Sequence, residues 1–162
     1  FHLNGGKIAD AIQTLNFMLQ AIKNIQNERP IDLVVFSGDM LEQGGEGYEK
    51  NLLAGFSSFK EVIISPIMEA IGIPLSRFIF VPGNHDIDRD ADDEIMENGI
   101  EERTKEYDDI VKFAKGLKID KYTARISDFK KFEKEFYSEF DDVIYNGSRF
   151  VSTLEYNIDG IS

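Results

Sequence analysis

The sequence predicts an α/β domain with a mostly parallel βαβ core and a helical insertion. Three observations carry that prediction. Two short apolar runs, residues 31–36 (IDLVVF) and 77–81 (RFIFV), alternate with segments of helical periodicity. Both runs are almost continuously apolar, as parallel strands covered on both faces are. Each ends in polar punctuation containing glycine, Ser37-Gly38-Asp39 in one case and Pro82-Gly83-Asn84-His85-Asp86 in the other.

The elements follow in order. Residues 5–28 carry Ile8, Ile12, Leu15, Leu19, Ile22 and Ile25 at steps of three and four, one apolar face of a helix that Pro30 closes. The first strand and a glycine-rich loop (EQGGEG) lead to a second helical stretch through Leu52, Phe56, Phe59 and Ile63. Ser65-Pro66 is expected to end that helix and cap a shorter one. After the second strand, residues 92–115 and 126–142 read as helices, the latter with Phe129, Phe132, Phe136 and Phe140 on one face. That aromatic stripe is expected to pack on the core. Residues 88–148 are read as an acidic helical insertion covering one edge of the sheet. The chain closes on a strand, residues 150–156, and a turn at Asn157-Ile158-Asp159-Gly160. A hairpin whose second strand is missing, and the want of an initiator Met, lead us to expect a domain fragment.

Composition narrows the function. The chain has 162 residues, 42% of them hydrophobic, enough for a core, and no apolar run of membrane-spanning length. Cysteine is absent, which excludes disulfides and thiolate metal sites and points to a cytoplasmic location. The net charge of −12 opposes a sequence-independent grip on nucleic acid, although bound cations can reverse a local field, so nucleic acid stays possible as a substrate. Between Asp88 and Asp109, eleven acidic residues face Arg89, Arg103 and Lys105, a net of −8 that reads as a solvated helical surface. Acidic residues from Asp86 to Glu97 mimic the spacing of a calcium loop. Ala91 stands where that loop needs glycine, and a strand precedes it, so we reject the match.

In open α/β sheets, ligands bind beyond the carboxyl ends of the strands. Right-handed crossover brings both strand ends to one sheet edge, so Asp39 and the Asn84-His85-Asp86 cluster can share a site. Gly38 and Gly83 allow the sharp turns. Carboxylate, amide oxygen and imidazole are ligands for divalent ions. One carboxylate can bridge two ions about 3.5–4 Å apart, and such a pair can clamp a phosphoryl transfer. An imidazole left unligated could protonate the departing oxygen, with a carboxylate holding its tautomer.

Gly38-Asp39 and Gly83-Asn84-His85-Asp86, each closing a strand, with Phe1-His2 upstream, resemble the ordered signature of the calcineurin-like metallophosphoesterase superfamily. The resemblance implies part of that family's sandwich, over about residues 1–85 and 148–162, with the C-terminal half of the domain missing. It implies two divalent ions (Mn, Fe or Zn) bridged by Asp39, with Asn84 on the second and His2 on the first. His85 would be the general acid and Asp86 its orienting partner. The implied reaction is hydrolysis of a phosphomonoester or phosphodiester by a metal-bound hydroxide; a phosphoester substrate is expected, nucleic acid is possible though not indicated by the charge, and no membrane partner is expected. A non-catalytic binding or scaffold module on the same fold is the alternative. The chain supplies part of the ligand set, so it is expected to hydrolyse little by itself.

Overall fold

The computed structural model describes residues 2–91, 105–116, 124–148 and 151–156. A single 3-10 turn (Gly5–Lys7) opens helix α1 (Ile8–Glu28), followed by strand β1 (Val34–Phe36). Helix α2 (Leu52–Phe59) passes through a π turn (Lys60–Ile64) into α3 (Ser65–Ile71), and β2 (Phe78–Phe80) follows. Then come α4 (Tyr107–Gly116), α5 (Ser127–Tyr137), β3 (Val143–Gly147) and β4 (Ser152–Tyr156). Strands β1 and β2 pair in parallel, Val34 against Phe78 and Phe36 against Phe80, as the βαβ reading requires. Among the described residues no helix is long and apolar enough to cross a membrane.

Several expectations are corrected. Ser65-Pro66 does not break the helix, because Ile64 and Ser65, the two residues before the proline, keep helical dihedrals. Proline lacks an N–H and its ring collides with the carbonyl four residues back. The π turn just before it absorbs that conflict, with Ser65 donating from its backbone N–H and its Oγ to Lys60 O. In α1 the buried stripe runs through Ala11, Leu15, Leu19 and Ile22, while Ile12 and Ile25 are exposed, so the packed face is rotated from the one expected.

The region after β2 also differs. The helix expected over 126–142 ends at Tyr137, and residues 143–147 form β3, an unforeseen strand. Strand β4 finds its antiparallel partner there, upstream of itself, with Val143 opposite Tyr156 and Gly147 opposite Ser152. The expected turn at 157–160 and residues 92–104 of the expected helix lie outside the described residues.

The aromatic stripe of α5 packs as expected. Phe132 lies 4.8 Å from Phe56 and 5.3 Å from Phe80, and Phe136 lies 4.9 Å from Phe80, ring centre to ring centre. These stacked and edge-on contacts join α5 to α2 and to β2 within one core. The Tyr137 hydroxyl donates to Phe78 O at 2.6 Å, so a side chain occupies the free edge of β2. The other face of the parallel pair is open among the described residues, with Val35 56% and Val81 48% exposed. Packing thus fixes β2 firmly, and with it the loop that follows.

Candidate active site at the strand ends

Three segments converge at the carboxyl ends of β1 and β2. The first is the amino-terminal one. His2 N–H donates to Asp39 O (3.1 Å), Leu3 N–H to Met40 O (2.8 Å), and Glu42 N–H to Leu3 O (3.0 Å). Leu3 therefore runs as a short parallel bridge beside Leu41, both fully buried. This register delivers His2 to Asp39, with Nε2 3.5 Å from Oδ2.

Asp39 itself sits in the left-handed region (φ 52°), just after Gly38 (φ 116°). An aspartate tolerates that conformation better than most residues, and the strain is of the kind that gathers at functional sites. Its two oxygens have different neighbours. Oδ2 faces His2, whereas Oδ1 accepts from the His85 backbone N–H at 3.2 Å. The Asn84 amide also lies 3.2 Å from Oδ1, and its other end meets Arg89 at 2.5 Å. Turned one way, its nitrogen donates to Asp39 and its oxygen accepts from Arg89. Turned the other way, its oxygen faces the carboxylate, an arrangement that only a cation between them would favour.

Gly83 is held to its type by this geometry. A Cβ there would collide with the carboxylate and backbone nitrogen of Asp39, reaching 2.8 Å from its Cγ. The two loops can close on each other only because that space is empty.

Asp86 corrects an expectation. It does not touch His85. Its carboxylate is 0% exposed, and it accepts from Leu41 N–H (2.9 Å) on Oδ1 and from Gly83 N–H (2.9 Å) on Oδ2. Both oxygens are satisfied by backbone amides, one from each strand-end loop, so Asp86 clamps the loops together. The group on the His85 ring is instead the Gln43 backbone N–H, 3.2 Å from Nδ1, while Gly44 N–H donates to His85 O at 2.9 Å. A nitrogen that accepts carries no proton, so the neutral ring bears its proton on Nε2. The sequence contained no sign of Gln43, because the contact is made by its backbone. His85 and His2 rings lie 4.9 Å apart, so both imidazoles face one small volume.

Among the described residues no group of three or more His, Asp and Glu side chains converges as a metal cage. The donors present are His2, Asp39 and Asn84. Imidazole, carboxylate and amide oxygen suit divalent ions, and Asp39 offers an oxygen to each side. These residues fit part of such a site.

Fold and geometry together define an α/β domain whose polar site is assembled from strand-end loops, the architecture in which α/β enzymes bind ligands. The chain belongs to the calcineurin-like phosphoesterase family, whose model matches residues 5–154. Asp39, Asn84, His85 and Asp86 lie within that match, and His2 lies just before it. The family points to hydrolase activity on phosphoesters, and its members usually bind two metal ions. No curated protein and no solved structure matches the chain.

Proposed function

We propose that the chain hydrolyses a phosphomonoester or phosphodiester where His2, Asp39, Asn84 and His85 meet. The observation that carries this reading is the split carboxylate of Asp39, with one oxygen toward His2 and the other toward Asn84 and the backbone of His85. His2 and Asn84 would each hold a divalent ion (Mn, Fe or Zn) with Asp39 shared between them. The ions would supply Lewis acidity toward the phosphoryl oxygens.

The remaining roles belong to the chain. To act as general acid His85 would be the imidazolium, its protonated Nδ1 releasing the Gln43 N–H it accepts from here, and it would give the Nε2 proton to the departing oxygen and return to the neutral ring. Asp86 holds the two loops at fixed separation through Leu41 and Gly83, and the bare Gly83 lets Asp39 approach. Positioning of this kind contributes to rate as directly as the proton transfer does.

The second reading is a module on the same fold that binds without turnover. Release of phenol from an unactivated phenyl phosphodiester, whose poor leaving group needs a proton to depart, followed during titration with Mn²⁺, Fe²⁺ or Zn²⁺, separates the two. Slow, metal-dependent turnover is expected, reduced about 100-fold or more in His85→Ala. Turnover that survives His85→Ala would remove the acid role, and none with any metal would favour the binding module.

A further inference from the structure

A groove of about 410 Å³ opens beside the strand-end site, between the first turns of α1 and the loop after β1. His2 lines it and also faces Asp39 at 3.5 Å, so groove and reacting site share a wall. The helix contributes Ala11, Thr14 and Met18, spaced by three and four residues and therefore on one face. The Thr14 hydroxyl donates back to Asp10 O at 3.0 Å, which leaves the stripe largely aliphatic. Lys7 and Glu42, 3.8 Å apart, form a polar rim across from it.

From this arrangement we infer that the groove receives the alcohol half of the phosphoester, an uncharged organic group of about nucleoside size. The inference rests on the phosphoesterase reading and adds a substrate class to it. Its volume lies within the range of small-molecule sites, roughly 300–1,000 Å³. An apolar stripe opposite a polar rim suits a flat group with hydrogen-bonding edges. Lys7 is offset by Glu42 and Asp10, so the groove holds no net positive charge for a second phosphate. A net charge of −12 likewise disfavours a long polyanion. The substrate is therefore a small ester with one phosphoryl group.

The test is methyl NMR on the chain labelled at its four methionines, with Zn²⁺ present. Adenosine 5′-monophosphate is the probe and inorganic phosphate the control. The two histidines, His2 and His85, report the metal independently. The nucleotide is expected to shift the Met18 methyl and leave the buried Met40 unmoved, while phosphate alone shifts neither. Thr14→Phe, a change at an exposed position, should weaken the nucleotide about tenfold or more while the Met40 signal stays in place. A Met18 signal indifferent to the nucleotide, equally moved by phosphate, or unaffected by Thr14→Phe overturns the groove inference. If Zn²⁺ shifts the imidazoles and the nucleotide leaves Met18 unmoved, the groove falls and the metal reading stands. Imidazoles that ignore Zn²⁺ sink the phosphoesterase reading itself.

Discussion

Two acidic residues in this molecule, Asp39 and Glu133, are surrounded by polar groups and do opposite things with them. Glu133 on α5 is 3% exposed, and its Oε2 accepts from Lys130 (2.9 Å), Ser152 (2.6 Å) and Tyr145 (3.1 Å). Lys130 also donates to Ser152 at 2.6 Å, which closes the cluster between helix and hairpin. Asp39, by contrast, keeps about a third of its side chain exposed, and its contacts are long, 3.2–3.5 Å. Short, saturated hydrogen bonds fix structure, whereas long ones around a half-open carboxylate leave capacity for a ligand. Asp86 shows that the distinction is not one of location. It sits in the strand-end site yet has its oxygens satisfied as fully as Glu133 does.

The largest effect should come from breaking the saturated cluster. Glu133→Ala leaves Lys130 nearly buried without its counter-charge, which should cost about 3–5 kcal/mol in denaturant unfolding. A loss below about 1 kcal/mol would mean that the cluster is ornamental. Next in size, Asp86→Ala strands two amide donors, those of Leu41 and Gly83, and should cost roughly 2–4 kcal/mol. It should also move the His85 ring resonance, since the loops that hold His85 are no longer tied. An unmoved ring would show that the clamp is not needed for the site.

Legibility in the sequence divides along the same line. The parallel strands, the helical aromatic stripe and the strand-end cluster were all readable, because period, β-rich runs and glycine punctuation are local signals. Asp86 was placed in the right loop and given the wrong partner, since adjacency to His85 in sequence says nothing about where a carboxylate turns. Its actual partners, Leu41 and Gly83, donate from the backbone, and backbone donors have no residue signature. Gln43 escaped notice for the same reason. Strand β3 was missed because VIYNG follows directly on a strong helical period and is only five residues long. Its stability comes from pairing with β4, a tertiary fact.

A smaller effect should appear at alkaline pH, again on the saturated side. The phenols of Tyr137, Tyr145 and Tyr156 are all pushed above the ordinary value of 10, chiefly by burial. A raised folded value means that the native state holds these protons more tightly than the unfolded chain. Their stabilising contribution is therefore complete below about pH 10 and is lost as pH rises above it. Of the six tyrosines, these three should ionise late in an ultraviolet titration, together with loss of structure. Six tyrosines ionising together near pH 10 in a folded chain would contradict the packing described.

The smallest effect on stability, and the sharpest on function, is expected at Asp39. Its contacts are long and half-exposed, so Asp39→Asn should change unfolding free energy by no more than about 0.5 kcal/mol. Mn²⁺ titration of the wild-type chain and of this variant, by calorimetry, therefore shows whether the Asp39 carboxylate is a metal ligand. The wild type should bind Mn²⁺ and Asp39→Asn at least about tenfold more weakly, with the unfolding midpoint unchanged. Equal Mn²⁺ affinity in the two proteins would contradict that role.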